Sequence, residues 1–298
     1  MAEQIERWAE ADLDDPVLRK HFGERLVLIA LMEDGHLMPL GTGFVVSISD
    51  DHAIVVTASH TLEEIRHQQN PRRDTSFRSF TPGLVVEPRS EIDVSRLRVR
   101  VLCRKGDQMQ AAVIERAQYA QRTDIAVLRI RSQDAHSPFL RAALPLTPIV
   151  PAVGDEIAVL GYAAMEVTDK VSDGQFRSQK MSVRPVMRRG FVTETSRLVM
   201  GEGMAVHASI PVLGGMSGGP VMLIDSYGNI GPVFGVVASS PDADATTACN
   251  MAAAVLQVAQ IELHDGAAST AIAFESEVDV TNKEFAQRNQ MDNPGDSP

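Results

Sequence analysis

The sequence predicts an all-β fold, and three observations lead there. Short β-branched runs recur, as in "RLVLIALM" (25–32), "GTGFVVSIS" (41–49) and "HAIVVTAS" (52–59). The turn-rich pieces "EDGH" and "DD" separate them in the manner of antiparallel hairpins. Gly, Pro and Asp punctuate the whole chain, and many short strands spaced in this way make a barrel or a sandwich. Two half-chains of strands meeting at the Pro-rich "PLTPIVPAVGDE" (145–156) would make two β-barrels with a linker between them.

Taken in chain order, residues 3–20 carry Ile5, Trp8, Ala9 and Leu13 as an apolar stripe at helical spacing, ended by acidic residues before Pro16. This predicts an N-terminal helix. Beyond the three runs above, strands are expected at 96–103, 111–116, 125–130, 156–161, 183–195, 204–210, 220–224 and 233–239. Residues 63–92 and 163–182 break the rhythm and read as long surface loops. "VLQVAQIEL" (255–263) has apolar residues at helical spacing and predicts a C-terminal helix packed on a barrel. The expected division is an N-terminal helical extension (1–24), a first barrel (25–144), a second barrel with the C-terminal helix (145–265), and a polar, partly disordered tail (266–298).

Composition narrows the function classes. The 298 residues are 44% hydrophobic and 22% charged, enough chain to bury a sizeable core without staples. A net charge of −11 and a pI near 5.2 argue against nucleic-acid or anionic-membrane partners, which call for a basic surface. No apolar run approaches the roughly 18 residues of a membrane span. The acidic start "MAEQIERWAEADLDD" has no leader-like layout, so a cytoplasmic location is expected. Cys103 and Cys249 form no CxxC pair, and neither a disulfide framework, a metal site nor a cofactor is expected.

One segment stands apart: "GGMSGGP" (214–220) sets Ser217 among four glycines ahead of the apolar "VMLI". Glycine serves where backbone takes φ > 0 or approaches another group closely, so the cluster presents Ser217 and nearby N–H groups on a tight turn. Such a turn is as readily structural as catalytic. A serine nucleophile needs a base and a group that orients the base. His60 ends "VVTASH" at a strand-to-turn junction, where the sheet holds it. His21, His36, His52, His67, His136 and His264 sit in polar loop or terminal contexts, and His207 lies in the apolar strand "GMAVHASIP", where it reads as a packed, hydrogen-bonded residue with a pocket role left open by its closeness to Ser217. Asp124 opens "DIAVLRI", placed to accept from an imidazole N–H, although Asp is also an ordinary turn residue there.

Together these pieces run His60, Asp124, Ser217, the chain order of the chymotrypsin arrangement. With "GTGFVV" before "VVTASH", then "DIAVLRI", then "GMSGGP" followed by "FGVVASS", residues 25–263 resemble the chymotrypsin/trypsin-like serine peptidases, most closely their bacterial HtrA-like branch. The resemblance implies a chymotrypsin-like double barrel of two six-stranded antiparallel barrels, with the active site between them. It implies His60 as general base, Asp124 as its orienting acid and Ser217 as nucleophile. The N–H groups of Gly215 and Ser217 would form an oxyanion hole worth about 3 to 4 kcal/mol per donor.

Departures matter too. Met216 stands where relatives keep Asp or Asn before the nucleophile, and Ala58-Ser59-His60 replaces the usual alanine-alanine-histidine. No "IVGG"-like start is present, so activation by cleavage is not expected, and the residues after 263 are too few for a PDZ domain. By the same resemblance the specificity pocket is lined by Pro211, Val212, Leu213, Gly214 and Gly215 and by Ala238, Ser239 and Ser240, with Asn250 near its wall. Pro211 falls where trypsin keeps an aspartate, so small or medium apolar residues are the expected preference. The expected function is a serine endopeptidase acting on protein or peptide substrates through an acyl-enzyme. The alternative is a catalytically silent or partner-gated binding module, for which Met216 and the long segment 63–92 are the hints. The sequence leaves the oligomeric state and any regulatory partner protein open.

Overall fold

The computed structural model describes residues 8–12, 22–33, 36–49, 52–62, 90–105, 108–120, 124–132, 142–147, 149–172, 175–197, 204–237 and 246–250. Among the described residues, fourteen strands form two sheets. The first contains β2 (Leu26–Glu33), β3 (His36–Ser49), β4 (His52–Ala58), β5 (Ser90–Ile92), β6 (Val99–Lys105), β7 (Gln108–Ala120) and β8 (Ile125–Ser132). Its order β7-β6-β2-β3-β4-β8 returns to β7, which closes a six-stranded barrel with β5 added at the edge of β7. The second contains β1 (Trp8–Asp12), β9 (Glu156–Ser172), β10 (Gln175–Arg197), β11 (Met204–Pro211), β12 (Pro220–Ile224), β13 (Ile230–Val237) and β14 (Thr246–Asn250). Here β10-β11-β14-β13-β12-β9 returns to β10, with β1 alongside. Every pairing between these strands is antiparallel, so the expected double barrel is the fold.

Burial explains why so many strands are apolar on both faces. Along β2, Val27, Ile29 and Leu31 fill the first barrel with Val45, Val55, Val101 and Leu128. The alternate residues Leu26, Leu28 and Ala30 point the other way. They join Phe44 and Val56 of the first barrel and Leu160, Tyr162, Met187, Met222 and Val236 of the second in a core shared by the two. Ile157, Val159, Val186, Val206, Val221 and Phe234 fill the second barrel. The Pro-rich linker is stitched to both: Leu144 N–H donates to the Val45 carbonyl (2.8 Å), and Val233 N–H to that of Pro145 (2.8 Å).

Three expectations need correction. Residues 8–12 of the expected N-terminal helix form β1, paired with β10 from Trp8↔Gly190 to Asp12↔Val186. That stretch of β10 pairs with β9 on one side while β11 joins it only from Val192 onward. The open edge captures the N-terminal segment and overrides a weak helical spacing. The expected loop at 163–182 is mostly the two arms of the β9–β10 hairpin, paired from Gln175↔Ser172 through Arg184↔Ala163. The Asp173-Gly174 pair between the arms is a strong hairpin signal in sequence, and the polar arms hid it. Finally, residues 90–92 at the end of the expected loop 63–92 form β5, drawn onto the edge of β7 from Ser90↔Tyr119 to Ile92↔Ala117; β14, whose "TTACN" has little strand pattern of its own, is imposed by closure between β11 and β13. The expected C-terminal helix at 255–263, the tail, and residues 63–89 lie outside the described residues.

The shared core sets a stability test. Leu28 is fully buried there, so Leu28→Ala will lower unfolding free energy by about 2 to 5 kcal/mol. Val153, which is 62% exposed, changes stability by less than about 0.5 kcal/mol on truncation to Ala. Denaturant unfolding midpoints of the two variants check this.

Candidate active site

His60 lies in a helical turn, residues 59–62, directly after β4. Asp124 immediately precedes β8, and β4 and β8 are neighbours in register from His52↔Arg131 to Ala58↔Ile125. The pairing therefore carries the two side chains to one end of the barrel. His60 Nδ1 lies 2.8 Å from Asp124 Oδ2. The other carboxylate oxygen, Oδ1, accepts from the His60 backbone N–H (2.9 Å) and from the Ser59 hydroxyl (2.9 Å). In addition, Ser59 N–H donates to the Asp124 carbonyl (3.0 Å). A carboxylate bonded to Nδ1 fixes that nitrogen as the protonated one and leaves Nε2 as the acceptor.

Asp124 is the one non-glycine with positive φ (52°) among the described residues. Left-handed backbone costs energy in a residue with a Cβ, and Asp tolerates it better than most. The hydrogen bonds above over-determine this conformation, a pattern found where a side chain must be aimed. Ser59 is the partner that sequence reasoning missed. It stands where relatives keep alanine, and it is buried with its hydroxyl on the carboxylate.

Ser217 follows β11 on the glycine turn, and the first barrel holds that turn. Thr42 of β3 donates its N–H to the Ser217 carbonyl (2.8 Å) and its hydroxyl to the Gly215 carbonyl (2.7 Å). Gly218, at φ +83°, packs so closely on the Thr42 carbonyl, the Thr57 hydroxyl and the Ala58 amide nitrogen that a Cβ would collide with all three. Gly215, at φ +95°, is similarly crowded by the Met165 methyl and the Tyr162 carbonyl. Both glycines are therefore required, for conformation and for space. Ser217 is thus docked on the end of β4 from which the His60 turn departs.

Within this turn the amide groups divide into two sets. Met216 N–H donates to the Leu213 carbonyl (3.1 Å), Gly218 N–H to Val237 (2.8 Å) and Gly219 N–H to Met216 (2.9 Å). The N–H groups of Gly215 and Ser217, like that of the exposed Gly214, donate to no acceptor among the described residues. Met216 is fully buried among Val159, Val221 and Phe234 and rests on Gly161. The residue before the serine is an anchor in the second barrel.

The remaining expected positions are placed as follows. Pro211 ends β11 opposite Thr246, and its carbonyl accepts from the guanidinium of Arg188, which is buried. Val212 is half-buried, Leu213 and Gly214 are exposed, and all three lead into the turn. Asn250 pairs with Ala205 and Val236, at the other end of the β11–β14 pair, so it is not brought to Pro211. Ala238, Ser239 and Ser240 lie outside the described residues, as do His21, His67, His136 and His264. His36 and His52, expected in loops, begin β3 and β4 instead. His52 Nε2 sits 3.0 Å from Glu115, a carboxylate shared with Arg129 and Arg131, and this pairing across β4, β7 and β8 draws it into the sheet. His207 is a half-buried strand residue of β11. Cys103 is buried in the first barrel, and burial raises its thiol pKa, which makes it a poor nucleophile at neutral pH. Among the described residues no cluster of His, Cys, Asp and Glu could hold a metal ion, and no helix is long and apolar enough to cross a membrane.

No match was found among the curated proteins. A solved structure of the Rv3671c protease from M. tuberculosis, in its active form, aligns at 22% identity with a TM-score of 0.45, covering 85% of this chain and 87% of that one. Residues 41–231, the span from the strand that carries Thr42 through His60, Asp124 and Ser217, match the trypsin-like peptidase domain, and the chain belongs to that family.

Proposed function

We propose that the protein is a serine endopeptidase that hydrolyses peptide bonds through an acyl-enzyme. The observation that carries this reading is the 2.8 Å contact between His60 Nδ1 and Asp124 beside the docked Ser217 turn. In this mechanism Ser217 Oγ attacks the scissile carbonyl while His60 Nε2 takes its proton. Asp124 holds the tautomer and stabilises the imidazolium. The N–H groups of Gly215 and Ser217 stabilise the oxyanion, and His60 then gives its proton to the leaving amine. A water molecule, deprotonated by the same imidazole, hydrolyses the ester and frees Ser217.

Met216 was the departure that pointed toward a silent binding module. Its burial in the second barrel accounts for it by packing, so it lends that reading no support. We place the enzyme in the cytoplasm, acting on protein or peptide substrates, and its acidic composition argues against nucleic-acid or anionic-membrane partners. For specificity, Pro211 supplies no carboxylate to the proposed pocket. A Lys or Arg side chain would meet an unmatched desolvation cost there. Small or medium apolar residues at the cleavage point are the proposed preference.

Intact mass after incubation with an alkyl fluorophosphonate tests the mechanism. Wild type should gain one adduct that is absent in Ser217→Ala and at least about 100-fold slower to form in His60→Ala. A wild-type protein that stays unlabelled would sink the peptidase reading. For specificity, cleavage of a peptide library should cluster after Ala, Val or Leu. Selective cleavage after Lys or Arg would show that the pocket has been misassigned.

A further inference from the structure

The N–H groups of Gly215 and Ser217, which donate to no acceptor among the described residues, sit in a segment fastened through its carbonyls, and the fastenings at Gly215 and Ser217 come from one residue of the other barrel. Thr42 is fully buried in β3. Its N–H donates to Ser217 O (2.8 Å) and its carbonyl accepts the Thr57 hydroxyl (2.7 Å). Its own hydroxyl is engaged twice: Tyr162 N–H donates to Oγ1 (2.8 Å), and Oγ1 lies 2.7 Å from Gly215 O. A hydroxyl has a single proton. Since the Tyr162 contact uses Oγ1 as acceptor, the proton is left for the Gly215 carbonyl, and the direction of that bond is fixed. The β-branched side chain is stiff at χ1 in a strand, which holds the hydroxyl in place.

The peptide between Gly215 and Met216 is then pinned at both ends, its oxygen on Thr42 and its N–H on the Leu213 carbonyl (3.1 Å). Without that pin the segment Gly214-Gly215 has the rotational freedom of two glycines, and the Gly215 N–H would sample many directions. We propose that Thr42 is a positioning residue for the oxyanion site: its hydroxyl, held by Tyr162 of the second barrel, orients the Gly215 peptide and so preforms the donor pair of Gly215 and Ser217. This rests on the reading of Ser217 as nucleophile. It adds that a side chain in the first barrel, away from the triad, sets transition-state stabilisation.

The test compares the second-order rate of alkyl fluorophosphonate labelling, read by intact mass, in wild type, Thr42→Val and Thr42→Ser, with thermal unfolding of each measured alongside. Val keeps the shape and removes the hydroxyl; Ser keeps the hydroxyl and removes the methyl group. Labelling should slow by about 10- to 100-fold in the Val variant, short of the loss from deleting an oxyanion donor outright, and stay within about threefold of wild type in the Ser variant. If the Val variant does not fold, Thr42→Ala takes its place with the same expected slowing of at least about tenfold. A folded Val or Ala variant that labels like wild type overturns the proposal. So does a Ser variant as slow as the hydroxyl-free one, because packing would then be the cause. Absence of labelling in wild type itself would instead overturn the nucleophile reading, and this inference with it.

Discussion

The docking of the Ser217 turn on the end of the first barrel is the constraint from which the site follows. Thr42 N–H meets Ser217 O, and Gly218 lies against Thr57 and Ala58 with no room for a side chain. Buried polar groups need partners, so the contact between the barrels has one register that satisfies Thr42, Thr57 and Tyr162 together. The apolar core shared by both barrels supplies the attraction, which is without direction. The threonine bonds supply the direction. An assembly of this kind holds the Ser217 turn of the second barrel against the end of β4, where the His60 turn of the first barrel begins.

At His60 and Asp124 the same principle operates at smaller scale. Asp124 takes a left-handed conformation because four hydrogen bonds to Ser59 and His60 hold it there. Two of those bonds use backbone N–H groups of the turn that carries His60. His60 and Asp124 are therefore aligned by one local structure, and the sheet pairing of β4 with β8 brings its two halves together. Strain at Asp124 and the close-packed glycines at 215 and 218 are the costs that the surrounding barrels offset.

Much of this was legible in the sequence where one residue type has few alternatives. Eleven of the twelve barrel strands announce themselves by β-branched runs, and only β14 lacks such a pattern. The glycines around Ser217, the histidine after "VVTAS" and the aspartate before "IAVLRI" are readable because their chemistry is narrow. Less legible was what depends on a partner distant in sequence. The strand at 8–12 forms because β10 leaves an edge open to it, and the arms of the β9–β10 hairpin are strands because they pair with each other. Ser59 and Thr42 look like filler in sequence. Their roles arise from neighbours 65 and 173 positions away. Met216 looked anomalous for the same reason: its burial is a property of the second barrel and not of the motif.

The most direct test of the account is a crystal structure of the protein after reaction with an alkyl fluorophosphonate. The account predicts phosphorus bonded to Ser217 Oγ, with the phosphonyl oxygen about 2.7 to 3.1 Å from both the Gly215 and Ser217 nitrogens. The Thr42 hydroxyl should remain on the Gly215 carbonyl, and His60 Nε2 should face the reacted oxygen. An unmodified Ser217, or a phosphonyl oxygen directed away from those two N–H groups, would contradict it.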